Sequence, residues 1–166
     1  MLFRSHVSRY VGYPAGIGDV QHFTGAAFAP NVDPRPFPEV MDAWATIDDA
    51  QMQRTVDLVQ KEGTINTPTL VTIAKRANYD HYEEMRTSPE AALLPRYFAD
   101  VIWNPTLGLQ TDNDEHALHR MKVALAAEQK LLKRLFDVGA PLHIGTDTMT
   151  AFVIPGDRKS TRLNSS

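Results

Sequence analysis

Two histidines and one aspartate stand out as residues whose type and setting suit chemistry. His6 falls within Leu2-Phe-Arg-Ser-His-Val7, His22 within Asp19-Val-Gln-His-Phe-Thr24, and Asp147 within Pro141-Leu-His-Ile-Gly-Thr-Asp-Thr148. Each segment is short and partly apolar, with glycine or proline nearby, which is how strands look in sequence. Each chemical residue sits at or just after the predicted strand end. Neutral imidazoles offer nitrogen to a divalent metal, and a carboxylate can bind the metal, take a proton from its water, or do both. Taken singly, each has a plainer reading. A histidine after a strand is commonly a satisfied polar residue, and Asp147 can be a polar strand end that caps a turn.

The elements that must position these residues alternate between strand and helix. Residues 2–7 read as the end of a first strand. Ser8 to Gly18, with three glycines and a proline, leaves room for only a brief helix. Asp19–Thr24 is the second strand. Ala29 to Pro38 holds four prolines and reads as a loop. Thr46 as N-cap, with Asp49 three residues on, opens a helix whose apolar face is Ile47, Met52, Val56 and Val59 and whose stop is Gly63. The β-rich run Thr64–Ile73 predicts a third strand, with Pro68 forcing a bulge or delaying the pairing. Helices are expected near Tyr79–Arg86 and from Pro89 to about Trp103. The longest helix runs from about residue 113 to 138 on a stripe of Leu118, Met121, Leu125, Leu132 and Leu135, with Gly139 as C-cap. Leu142–Thr146 is the fourth strand. This alternation argues for a parallel sheet with helices packed outside it.

Composition narrows the classes. The 166 residues are 43% hydrophobic and 22% charged with a net charge of −3, ordinary for a globular domain. No basic patch points to nucleic acid, and no apolar run approaches the ~20 residues of a membrane span. There are no cysteines, so disulfides and thiolate metal sites are excluded and any metal must be held by His, Asp, Glu or Lys. Residues 157–166, Asp-Arg-Lys-Ser-Thr-Arg-Leu-Asn-Ser-Ser, lack apolar periodicity and match the translation of a common sequencing-library adapter codon for codon. They are expected to be an artefactual, disordered tail, separate from a domain over 1–156.

Ser5-His-Val-Ser-Arg-Tyr-Val-Gly12 resembles the Gly-His-Val-Pro-x-x-Val-Gly stretch of metal-dependent amidohydrolases, in the imidazolonepropionase- and prolidase-like branch. Val20-Gln-His-Phe-Thr-Gly25 is similar to that branch's Ile-Glu-His-Leu-x-Gly. Thr64-Ile-Asn-Thr-Pro-Thr-Leu-Val71 and Leu142-His-Ile-Gly-Thr-Asp-Thr148 are similar to its two following strands. The resemblance covers essentially residues 2–156 and implies a partial (β/α)8 TIM barrel, strands five to eight with their outer helices. It implies that His6 and His22 bind a divalent metal, zinc first, as one or two ions. It also implies that Asp147 binds metal and shuttles a proton while a C–N bond in a small-molecule amide is hydrolysed. The sequence departs from the family in Ser5, where glycine is usual, and in the spacing of His6 and His22, which are sixteen residues apart and closer than the family places them. The family's His-x-His pair and its strand-four lysine or glutamate have no counterpart here. A whole barrel needs about 250 residues, so the resemblance implies the C-terminal half of a longer parent enzyme.

Two rival readings belong to other classes. The chain by itself can be a non-catalytic truncated fragment, since part of the family's ligand set is missing. Alternatively, helix 113–138 can serve as an amphipathic partner surface. Among the other histidines, His143 shares strand parity with Asp147 and is expected to pack in the core. His116 and His119, beside Asp112, Asp114 and Glu115, read as a solvated helix start, and His81 gives no signal. Trp44 and Trp103 are expected as core or loop anchors.

Overall fold

Helices make up most of the described residues, and local chemistry sets where they begin and end. The computed structural model describes residues 19–23, 26–27, 37–107, 115–148 and 150–154. Helix α1 (Phe37–Ala45) takes Pro38 into its first turn, where the missing N–H costs nothing. Phe37 and Pro38 are therefore helical rather than loop. Helix α2 (Asp49–Glu62) is capped by Asp48, whose side chain accepts from the Gln51 N–H at 2.6 Å. Thr46, the expected cap, instead turns its hydroxyl back onto the Asp42 carbonyl at 2.9 Å and closes α1. Gly63 ends α2 in the left-handed region (φ 63), with its N–H on the Val59 carbonyl, as expected.

The chain divides into two compact units. The first comprises the described residues up to Thr69 together with Val123–Gly145. In it, β1 (Asp19–Gln21) pairs in parallel with β2 (Ile65–Thr67) in the register Asp19–Ile65, Val20–Asn66 and Gln21–Thr67. Leu142 adds one parallel bridge to Asn66. Phe23, Met41, Trp44, Val56 and Val59 are buried there, as are Leu131 and Leu135 of α5 (Glu115–Asp137). Each such large side chain contributes about 1.5–3 kcal/mol on burial. Asp49 of α2 also takes ion pairs from Lys130 (2.7 Å) and Arg134 (2.9 Å) of α5. Beyond α5, the Gly139 N–H binds the Phe136 carbonyl and the Ala140 N–H the Leu135 carbonyl, a Schellman stop with Gly139 at φ 70.

The second unit comprises Leu70–Lys122 and the described residues from Thr146 onward. It is built from α3 (Leu70–Arg76), a 3₁₀ turn at Tyr79–His81, α4 (Tyr82–Arg86), a 3₁₀ turn at Ala91–Leu93, a π-helical turn at Phe98–Ile102 and the first part of α5. Its centre is aromatic. Phe152 lies 5.0 Å from Trp103 and 6.0 Å from Tyr79, centroid to centroid.

The expected half of a (β/α)8 barrel is not what the chain forms. Among the described residues the sheet has two three-residue strands and one further bridge, and helix predominates. The third strand, expected over Thr64–Ile73, ends at Thr67 because Pro68 has no N–H to donate and Leu70–Arg76 winds into α3. The fourth, expected over Leu142–Thr146, is reduced to its bridge to Asn66. The helix expected over 89–103 is broken into two short turns, with Pro95 between them. The first strand, the brief helix at 8–18 and the tail 157–166 lie outside the described residues. Among the described residues no helix is long and apolar enough to cross a membrane.

Candidate functional site

His22 and Thr69 lie just beyond the carboxyl ends of the two paired strands. β1 and β2 run in parallel, so the residues just past Gln21 and Thr67 emerge on the same side. His22 follows β1 immediately, with its N–H on the Thr67 carbonyl at 2.9 Å, which extends the ladder by one bond. Its ring is half-buried, and Nδ1 lies 2.5 Å from the Thr69 hydroxyl. The hydroxyl of Thr67 donates to Asp19 Oδ1 at 3.1 Å. Asn66 is wholly buried between its neighbours. Its carbonyl takes the His143 N–H at 2.9 Å, its N–H binds the Pro141 carbonyl at 3.0 Å, and its side-chain amide donates to the Thr64 carbonyl.

Backbone strain marks this end of the sheet. His22 (φ 62) and Thr69 (φ 49) both adopt left-handed backbone. For a β-branched residue such as Thr69 this is a real outlier, costing on the order of 1–3 kcal/mol. Pro68 before it and the first turn of α3 after it hold the chain in that bend. The methyl groups of Thr67 and Thr69 close on Gly145, where a Cβ would sit 2.5 Å and 2.9 Å from them. Only glycine fits that position as the chain stands.

The three residues singled out for chemistry fare differently. His22 is held at the carboxyl end of a parallel strand, as expected. Asp147 belongs to the second unit, where its side chain is exposed and its backbone is left-handed at φ 50. Its carbonyl accepts the Thr150 N–H at 3.3 Å and the Thr150 hydroxyl at 2.9 Å, so Asp147 opens a turn. His6 lies outside the described residues. Among the described residues no three His, Asp or Glu side chains group as metal ligands.

The remaining expectations also divide. His143, expected in the core, is exposed, because the segment from Leu142 makes a single bridge and leaves that side chain outside. His116 and His119 are exposed on the first turns of α5, as expected of a solvated start. Trp44 and Trp103 are both fully buried core anchors. Of the stripe expected on α5, Met121 and Leu135 are buried while Leu118, Leu125 and Leu132 are half-buried, and the buried line includes Ala124 and Leu131 instead of Leu125 and Leu132. Thr69 is the residue that sequence reasoning missed.

Comparison with protein-family models, with curated protein sequences and with solved structures returns no match.

Proposed function

We propose that these residues belong to a metal-dependent hydrolase that cleaves a C–N bond in a small amide, such as a cyclic amide or a dipeptide. His6, His22 and Asp147 would hold the divalent ion, zinc first. Two imidazoles and a carboxylate are an ordinary donor set for a catalytic zinc and leave a coordination position open. The observation that carries the reading is His22. It emerges from the carboxyl end of a parallel strand with its ring already tethered at Nδ1, and ligating histidines characteristically have an outer hydrogen bond of this kind.

When bound, a divalent ion would polarise the amide carbonyl and bring the pKa of the attacking water toward neutrality. Asp147 would take a proton from the attacking water as general base and return it to the leaving nitrogen as general acid.

The family that the sequence resembles also uses a His-x-His pair, which these 166 residues lack, and a strand-four lysine or glutamate that has no counterpart among the matching segments. The 166-residue chain alone is therefore expected to be inactive with zinc or manganese. The test joins it to an upstream segment that supplies those ligands and assays hydrolysis of a panel of small amides. The expected result is activity abolished by a chelator and lowered ~100-fold or more in kcat by Asp147→Asn. Activity indifferent to chelation, or an Asp147→Asn variant as fast as the parent, overturns the reading.

A further inference from the structure

We draw no further inference here: the strongest candidate, the surface patch carrying exposed Leu93, Tyr97 and Val101 around the 3₁₀ and π-helical turns of the second unit, carries none, because nothing in the structure shows what covers it.

Discussion

Gly145 has little freedom of its own, because its neighbours are two threonines whose methyl groups occupy the space a side chain would take. Gly145→Ala places a Cβ 2.5 Å from Thr67 Cγ2 and 2.9 Å from Thr69 Cγ2. Both contacts are to short, β-branched side chains that cannot bend away, so overpacking should destabilise the fold by about 1–3 kcal/mol. Urea denaturation checks this, and a loss within ~0.5 kcal/mol would show that the threonines yield easily. At this scale the sequence was half legible. His22 was singled out by its place at the end of a short strand-like segment, which the structure keeps as β1, whereas Asp147 was singled out by a strand end that the structure does not form. Thr69 was not, since threonine is common in β-rich runs and nothing in its type announces a left-handed backbone. His143 was misplaced because strand parity was extended through Leu142–Thr146, where pairing stops after one bridge.

Capping residues decide the ends of the helices, and two candidates two positions apart can look alike in sequence. Thr46 followed by Asp49 resembles a capping box, yet Asp48 is the residue in extended backbone (φ −90, ψ 165) that accepts the Gln51 N–H. Asp48→Ala should therefore cost about 1 kcal/mol of stability. Thr46→Ala, which loses only an exposed hydroxyl bond to the end of α1, should cost markedly less. Paired thermal melts decide between them, and equal losses would contradict the cap assignment. Helix α5 was legible because its apolar period and Gly139 agree over more than six turns. The stretch Leu70–Arg76 was not, because Val71, Thr72 and Ile73 favour strand by type while Pro68 and the bend at Thr69 have already ended the strand. Helix α1 was hidden for the opposite reason. Pro38 reads as a breaker, although proline is tolerated in a first helical turn.

The barrel expectation failed for the molecule as a whole because strand-like composition at four places does not supply the continuous ladders a barrel requires; among the described residues the hydrogen bonding goes mainly into helices. Charge and burial nonetheless set a definite pH window. The Lys130 hydrogen bond holds the Asp49 carboxyl below its ordinary 3.8, Lys122 does the same for Asp80, and Arg96 for Asp100. Groups depressed in the folded state contribute stability that is present above the unfolded value and lost as pH falls through that value and below it. Melting temperatures should thus drop on the acid side of about pH 4, and added salt should blunt the drop, because all three pairs are open to solvent. At the other extreme, burial pushes the Tyr79 hydroxyl far above its ordinary 10.0. Its contribution is fully present below pH 10 and fades as unfolded tyrosine ionises above it. Tyr79→Phe should flatten most of that alkaline decline, and an unchanged decline would reject the assignment. The two tryptophans of the sequence are divided between the units, Trp44 beside Phe23 in one and Trp103 against Phe98 and Phe152 in the other. Each unit therefore carries its own intrinsic fluorophore in a dry, aromatic setting. With Trp103→Phe the emission reports the first unit alone, and with Trp44→Phe the second. A denaturation followed at the two red shifts would tell directly whether the molecule melts in one step or two.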